Sequence, residues 1–239
     1  MHDNLTADSE IIVKLKEYID KAQAVLVGVG NEMNVHRVEA SSDDSSMTDQ
    51  NAAHIFDSYN MLESLLHGKN YFVVSTNTDD AIWSSSLDKD RIVCPCGSEG
   101  RFQCSNGCND VLYANEPLGD IFGYDRVPAD GKCPACGADL CENTVRCTNY
   151  NEQGYLNAWD KYMKFLSLTL NRDIVILELG VLMDFPNIIR WPFEKTALIN
   201  MKAHFYRINS ALPQMNAELK GKGISICSDV YDFLSLCRV

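Results

Sequence analysis

Eight of the ten cysteines lie between residues 94 and 147, and this clustering limits the possible fold more than any other feature of the sequence. Zinc takes four thiolates tetrahedrally, and an all-cysteine site keeps no open position for water. The pattern predicts a structural zinc ion, and free thiols are the alternative. Two cysteine pairs have the short spacings of metal-binding turns: Cys104-x3-Cys108 and Cys133-x2-Cys136.

The segment that carries these cysteines is rich in glycine and proline. A segment of this size has little core of its own, so metal binding would supply its folding energy. The other four cysteines of the cluster could form a second site, substitute for one of the four ligands or have no role: Cys94, Cys96, Cys141 and Cys147.

Outside the cysteine segment, short apolar runs alternate with stretches of helical period. Helices are predicted over 8–21 and 55–68, and the polar residues 38–52 are predicted to form a mobile surface loop. Strands separated by helices favour an α/β fold with a parallel sheet and helices on both of its faces. The apolar runs predict five buried strands, within 24–34, 71–77, 172–180, 203–209 and 223–227.

Each predicted strand ends in a polar or glycine residue, and ligands of parallel sheets bind at these carboxyl ends. The residues concerned are Gly28, Asn77, Gly180, Asn209 and Ser228.

Two of the strand ends carry candidate nucleotide-binding motifs. The stretch GVGNEM at 28–33 has the first two glycines of a phosphate-binding turn but a methionine in place of the third, and a plain turn fits it equally well. The stretch STNTDD at 75–80 could bind ribose hydroxyls and an amide, or could serve as an Asx turn and helix cap.

Charge and hydropathy argue against several classes of protein. The net charge of −12, with no basic stripe, argues against nucleic-acid binding. No apolar run approaches about 18 residues, and the acidic, amphipathic start is unlike a signal peptide. We therefore expect no nucleic-acid partner and no membrane partner. The cysteines suit a reduced compartment, so we expect a cytoplasmic location.

Four features follow one another along the chain in the order found in the sirtuin family: a glycine turn after the first strand, Asn77-Thr78-Asp79, a four-cysteine insert and LELGVLMDFPNIIRWPF at 177–193. The chain resembles sirtuins over nearly its whole length, and it is most similar to the macrodomain-linked (class M) microbial branch. The resemblance implies a Rossmann-like NAD-binding domain from 1–90 and 150–239 and a zinc-ribbon small domain at 91–149. It also implies cleavage of the nicotinamide–ribose bond of NAD and transfer of ADP-ribose to an acceptor.

The resemblance also implies roles for individual residues. Asn77 would orient the nicotinamide ribose and Asp79 the carboxamide. Cys96, with Gly97 and Ser98 after it, occupies the place of the family's catalytic histidine. The zinc ligands would be the two cysteine pairs named above. The other implied NAD contacts are Gly28, Gly30, Asn31 and Glu32 along the pyrophosphate turn, Gly180 and Val181 at the phosphates and ribose, Asn209 at the adenosine ribose, and Ser228 and Asp229 at the adenine end.

Three departures from the family pattern bear on activity. Glu32 stands where the family has a hydroxyl residue, and a carboxylate near a pyrophosphate would repel it. The Phe and Arg of the family's cofactor loop are missing between residues 31 and 54. A thiol at Cys96, with an ordinary pKa of about 8.5 against roughly 6.5 for imidazole, is a poor base at neutral pH. Losing a general base typically costs about 10²–10⁴-fold in rate.

These features leave three functional hypotheses. The first is an NAD-dependent protein ADP-ribosyltransferase, or an NAD glycohydrolase where no efficient acceptor is present. The second is a non-catalytic module that binds NAD or ADP-ribose. The third is an NAD-dependent protein deacylase.

Overall fold

A computed structural model of the chain describes residues 3–37 and 46–238. The helices of this part are α1 (Asp3–Lys21), α2 (Ser46–Leu66), α3 (Leu118–Phe122), α4 (Gln153–Thr169), α5 (Arg190–Ile199) and α6 (Val230–Leu236). The strands are β1 (Ala24–Val29), β2 (Tyr71–Ser75), β3 (Ile92–Val93), β4 (Gly97–Cys104), β5 (Leu112–Ala114), β6 (Asp125–Arg126), β7 (Leu140–Thr144), β8 (Ile174–Leu179), β9 (Ala203–Ile208) and β10 (Gly223–Ile226).

The five predicted strands form one parallel sheet, to which β3 adds an edge. The strand order is β10-β9-β8-β1-β2-β3, and every neighbouring pair is parallel. In β1, Val25 pairs with Tyr71 on one side and with Val175 on the other. The predicted α/β fold with a Rossmann-like parallel sheet is therefore confirmed.

Helices cover both faces of this sheet because successive side chains of a strand point to opposite faces. Val25 and Val27 join one apolar cluster with residues of α1, α2 and α6. Ala24 and Leu26 join a second cluster with residues of α4 and α5. Strands buried on both faces in this way appear in the sequence as continuous apolar runs.

The cysteine segment folds as a separate four-stranded sheet with strand order β6-β5-β4-β7. Strands β4 and β7 are antiparallel, with a register irregularity between Ser98 and Phe102. A backbone bond from Glu99 N to Thr78 O, 2.8 Å long, ties the start of β4 to the loop after β2. The small sheet thus lies beside the carboxyl ends of β1 and β2.

The loop prediction for 38–52 was wrong for its second half. Residues 38–45 lie outside the described part of the chain, whereas α2 begins at Ser46. Tyr59, Leu62 and Leu66 are all buried at helical spacing in its later turns. Packing of this apolar stripe stabilises a helix that extends into the polar residues before it. Among the described residues, no helix is both long and apolar enough to cross a membrane.

Candidate functional site

The two cysteine pairs meet in the four-stranded sheet. The sulfurs of Cys104, Cys108, Cys133 and Cys136 all lie within 4.8 Å of one another. The Cys104–Cys136 and Cys108–Cys133 Sγ–Sγ distances are both 3.5 Å. A tetrahedral ion with Zn–S bonds of about 2.3 Å holds its sulfurs about 3.8 Å apart. Backbone N–H donors, chiefly that of Cys108, lower the pKa of Cys104 to about 6, which favours the thiolate. The four residues fit a structural zinc ion.

The other four cysteines of the cluster take no part in this group. In the part of the chain that the structure describes, it is the sole cluster of three or more potential ligands. Cys141 and Cys147 lie together, with their sulfurs 2.8 Å apart. Cys94 and Cys96 are buried, and burial raises the pKa of Cys96 to about 12. The alternatives of a second metal site and of a substitute ligand therefore find no support.

A cavity of about 340 Å³ opens at the carboxyl ends of β1, β2 and β8. The described residues that line it are polar for the most part, and the small sheet supplies two of them at the end of β7. The lining residues used below are Asn31, Thr76, Asn77, Thr78, Val181 and Arg146. Three residues expected to contact NAD, namely Asn31, Asn77 and Val181, thus share one cleft.

Asn77 is held rigidly against the glycine turn after β1. Its side chain is 6% exposed and donates from Nδ2 to Gly30 O at 3.0 Å. Its backbone N–H donates to Ser75 Oγ at 3.1 Å. Because both contacts are local to the carboxyl ends of β1 and β2, Asn77 presents a pre-oriented amide to the cavity.

Asp79 lies beside the cleft rather than on its wall. Its carboxylate accepts hydrogen bonds from Val35 N at 2.6 Å and Ala81 N at 3.2 Å. Burial raises the pKa of Asp79 to about 6 despite these bonds, which favour the ionised form. The group titrates close to neutral pH, in the range useful for acid–base chemistry.

The glycines of the cleft are required by close packing. A Cβ on Gly28 would lie 2.5 Å from the Ile189 side chain, so this glycine lets α5 approach the sheet. A Cβ on Gly30 would lie 2.4 Å from Val181 Cα. Gly180 has φ +62°, and a Cβ there would lie 2.3 Å from Glu32 Cβ. The loop after β1 therefore contacts the loop after β8 closely, and each loop has a glycine at the contact.

Glu32 points away from the cleft wall formed by Asn77. Its Oε1 accepts from the backbone N–H and the hydroxyl of Ser210, both at 2.7 Å. Its Oε2 accepts from Val230 N at 3.2 Å. Burial raises the pKa of this carboxyl above its ordinary value, with the Ser210 donors opposing the shift. Glu32 therefore clamps the loop after β9 to the first turn of α6.

Asn209, Ser228 and Asp229 lie in that same region, and each has a structural partner; the Ser228 hydroxyl donates to Asp229 O at 3.1 Å. Asn209 is fully buried and donates to Val181 O, while its Oδ1 accepts from two backbone N–H groups. Asp229 caps α6 through Tyr231 N and pairs with Arg37 at 2.5 Å. A second cavity of about 280 Å³ is lined by Glu32 and Asp229. The cavity also contains Arg37, so one of these two carboxylates is paired with a cation.

Comparisons with known proteins agree with this architecture. No family model matches the chain. A solved structure of Sir2 with a deacetylated p53 peptide and 3′-O-acetyl ADP-ribose superposes over 94% of this chain and 96% of its own, with a TM-score of 0.56 and 12% identity. The chain has the Sir2 fold.

Two curated relatives are similar in sequence. A protein ADP-ribosyltransferase of Staphylococcus aureus is 23% identical over 184 residues, which are 72% of this chain and 58% of that protein. A probable bifunctional ADP-ribose hydrolase/ADP-ribosyltransferase of Fusarium oxysporum f. sp. cubense is 27% identical over 142 residues, 53% of this chain and 23% of that protein. The chain thus spans little more than half the length of the first relative and about a quarter of the second. The expected relation to the macrodomain-linked branch stays a prediction.

Within the Sir2 fold, the segment that carries Cys96 packs against the end of β7. Cys96 is 0% exposed, and its carbonyl accepts from Val145 N at 3.0 Å. Neither Cys96 nor any described histidine lines the 340 Å³ cavity. The cleft of this Sir2-fold chain therefore has no imidazole on its described wall, and the assignment of Cys96 to the place of a catalytic histidine stays a prediction.

Sequence reasoning missed three residues around the cleft. Arg146 is exposed on its wall and supplies a cation beside Asn77 and Thr78. Glu99 accepts from the Thr78 hydroxyl at 2.7 Å and contacts His36 Nε2 at 3.1 Å. These residues come from the turn after β1, the start of β4 and the turn after β7, and no local motif in the sequence marks them.

Proposed function

We propose that the chain is an NAD-dependent protein ADP-ribosyltransferase. It would cleave the nicotinamide–ribose bond of NAD and pass ADP-ribose to a nucleophile supplied by a protein acceptor. The observation that carries the proposal is the combination of a fixed Asn77 amide in the cleft with a protonated, fully buried thiol at Cys96. The names of the two curated relatives point to the same reaction class.

The donor set of the cleft suits such a substrate. Amide groups of Asn31 and Asn77 and the hydroxyl of Thr78 are suited to ribose hydroxyls and a carboxamide, and Arg146 offers a cation to a pyrophosphate. Positioning of the two reactants supplies much of the rate enhancement when the acceptor brings its own nucleophile. Under this proposal Asp79, with its raised pKa, helps to fix the carboxamide or to receive a proton.

Other parts of the proposal concern the surroundings of this reaction. We assign residues 1–90 and 150–239 to an NAD-binding domain and residues 91–149 to a zinc-binding domain that carries Arg146. We place the protein in a reduced, cytoplasmic compartment because the zinc cluster needs thiolates, with neither nucleic acid nor membrane as a partner. The class M relation belongs to the same proposal.

The test is incubation of the zinc-loaded protein with NAD labelled in its adenylate portion, together with candidate acceptor proteins. We expect protein-bound label and a matching release of nicotinamide. Asn77→Ala should lower nicotinamide release by at least about 100-fold, whereas Asn60→Ala, on the exposed side of α2, should not. Circular dichroism and zinc content would show that both variants are folded. Unchanged release by folded Asn77→Ala would refute the assigned role.

A specific observation favours the second candidate, a module that binds ADP-ribose without turnover. Glu32 and Asp229 place two carboxyl groups where the adenosine end would lie, and the free lone pairs of Glu32 could accept from ribose hydroxyls. Saturable binding of ADP-ribose in calorimetry, with neither nicotinamide release nor labelled protein, would decide for this candidate. Deacylation restored by Cys96→His would instead favour the third hypothesis, and we expect none because Cys96 is fully buried and does not line the 340 Å³ cleft.

A further inference from the structure

A third cavity, of about 210 Å³, lies on the other side of the chain segment that leads into β4. It is bounded by the first turns of α4, by the start of β4 and by the short 3-10 turn Ala81–Ser84. It shares no described lining residue with the 340 Å³ cleft. The reaction proposed above therefore makes no use of this cavity, and the inference below does not rest on that reaction.

The unusual feature of this cavity is a buried arginine in its wall. Arg101 is 6% exposed, and it donates from Nε to Asn143 Oδ1 at 2.7 Å and from Nη1 to Gly154 O at 2.8 Å. Its Nη2 has no hydrogen bond to a described residue. A Cβ on Gly154 would lie 2.4 Å from Arg101 Cζ, so glycine at this position makes room for the guanidinium.

No described acidic side chain forms an ion pair with Arg101. Burial raises the pKa of Asp80, and the nearby Arg101 charge is one of the influences that oppose this shift, but the Asp80 carboxylate binds Gly100 N rather than the guanidinium. A guanidinium stays protonated in proteins, and burying a charge without a counter-ion costs several kcal/mol. The fold therefore holds a cation whose direct counter-ion is missing from the described residues, at the wall of an open space.

Basic side chains outnumber acidic ones in the lining of this cavity. Lys89 and Lys161 both line the cavity, and the one lining carboxylate, Asp90, accepts from Lys161 Nζ at 2.7 Å. Lys89 donates to the carbonyl of Ser85. No described carboxylate lies within ion-pair distance of its ammonium group. The balance of the lining side chains is thus positive, in a chain whose net charge is −12.

The remaining wall is aromatic. Trp83 and Phe122 meet edge to face with ring centroids 4.9 Å apart, and Phe122 is 38% exposed. Tyr124 lies 5.9 Å from the Arg101 guanidinium, and Tyr155 closes the side next to α4. Such walls bind flat apolar groups, while a few polar groups fix their orientation.

We propose that this cavity is a binding site for a small carboxylate with a flat apolar body. The carboxylate would accept hydrogen bonds from Arg101, whose planar fork matches two carboxylate oxygens. The apolar body would pack against Trp83 and Phe122. A volume of about 210 Å³ limits the ligand to a small molecule, below the size for which pockets of about 300–1,000 Å³ are typical.

The test uses benzoate as the probe, with acetate, benzamide and inorganic phosphate as comparisons, on the full zinc-loaded chain. We expect saturable binding of benzoate by calorimetry, at least about tenfold weaker binding of acetate because it has no aromatic body, and none of benzamide because it has no charge. Shifts of the Trp83 and Arg101 side-chain resonances in nuclear magnetic resonance spectra would place the benzoate. Benzamide binding as well as benzoate, or phosphate binding better than benzoate, would overturn the proposal.

Variants separate binding from folding. Arg101→Gln should weaken benzoate by about 10- to 100-fold, the usual loss for hydrogen bonds to a charged group. Ala158→Leu, which fills the cavity from α4 and changes no charge, should also abolish binding, and it covers the case in which Arg101→Gln does not fold. Lys164→Gln, an exposed change on the same helix, should bind like the wild type. Equal benzoate affinity in wild type and folded Ala158→Leu would exclude this site.

Discussion

The two sheets of this chain are stabilised in different ways. The six-stranded sheet is covered on both faces by apolar clusters that run through five helices. In residues 97–147, by contrast, the buried apolar side chains besides cysteines number four: Leu112, Tyr113, Ala114 and Leu118. The four-stranded sheet therefore depends on its thiolate cluster, whereas the six-stranded sheet depends on packing.

The two sheets also differ in how they treat buried charge. In the six-stranded sheet, Glu178 is fully buried and forms a two-bond ion pair with Arg207, at 2.7 and 2.8 Å, with Arg190 at 3.7 Å. In the four-stranded sheet, Arg101 is almost as deeply buried and has amide and carbonyl partners only. The paired charges of the six-stranded sheet have their counter-ions within the fold. The charge of Arg101 has none at bonding distance among the described residues, and the ligand proposed above rests on this difference.

Metal removal should show most clearly that the two sheets are stabilised in different ways. A structural zinc ion contributes about 10–16 kcal/mol of apparent binding free energy at neutral pH, which the small sheet cannot replace from its core. Chelation, or Cys133→Ser, should abolish protection from hydrogen exchange in β4 and β7 and leave it in β8 and β9. Exchange followed by mass spectrometry measures this. Cys141→Ser, in the same sheet but outside the cluster, should keep full zinc content. Protection of β4 in metal-free protein would contradict the comparison.

Loss of the buried carboxylate should have the next largest effect. Glu178→Gln leaves the buried Arg190 without an ion-pair partner among the described residues and leaves Arg207 with Glu194 alone, at 2.9 Å. Breaking a buried ion pair typically costs about 3–5 kcal/mol. Urea unfolding of the six-stranded sheet would measure the loss. Asp173→Asn is the matched control, because its pair with Lys202 at 3.7 Å is more than half exposed and should contribute less than about 1 kcal/mol. Similar losses in the two variants would mean that the buried cluster is not structural.

Asp79 should make the stability of the six-stranded sheet depend on pH. The pKa of this carboxyl is about 6 in the folded chain against 3.8 for an ordinary aspartate, so folding favours its protonated form. Its contribution is therefore fully present below about pH 3.8 and is lost as the pH rises through 6. The span of roughly two pKa units corresponds to at most about 3 kcal/mol.

The measurement compares wild type with Asp79→Asn, which does not titrate at that position. The unfolding free energy of the wild type, relative to that of Asp79→Asn, should increase as the pH falls from 7 to 4. A carboxyl carbon resonance of Asp79 that titrates near pH 6 would confirm the cause. If the Asp79 resonance instead titrated with a midpoint near pH 4, both the expected pH effect and the proton-accepting role of Asp79 would be refuted.

The sequence was sufficient to predict most of the fold. The five strands appear as apolar runs because both sheet faces are covered, and the zinc ligands appear through short spacings that a tight turn imposes. The start of α2 at Ser46 could not be predicted, since tertiary packing of Tyr59 and Leu62 stabilises a helix whose first residues are polar.

The site was less predictable for a related reason. The orientation of Glu32 depends on donors at Ser210 and Val230, which are about 180 to 200 positions away along the chain. Arg101 shows no unusual local pattern, and its lack of a counter-ion becomes visible only once β4, α4 and the 3-10 turn after Asp80 are brought together. Contacts between distant segments carry this information, and a single sequence does not display them.

The smallest effect is expected from a surface charge next to the metal cluster. Lys132 and Asp139 flank Cys133 and Cys136, and their side chains form an exposed ion pair, with that of Asp139 76% exposed. Exposed pairs of this kind contribute little because water screens them and the long side chains lose freedom. Asp139→Asn should therefore leave zinc content and the exchange of β4 unchanged, as measured by metal analysis and mass spectrometry. If zinc were lost in this variant, surface charge as well as thiolate ligation would hold the four-stranded sheet together. The contrast with the six-stranded sheet would then rest on surface charge as well as on the metal.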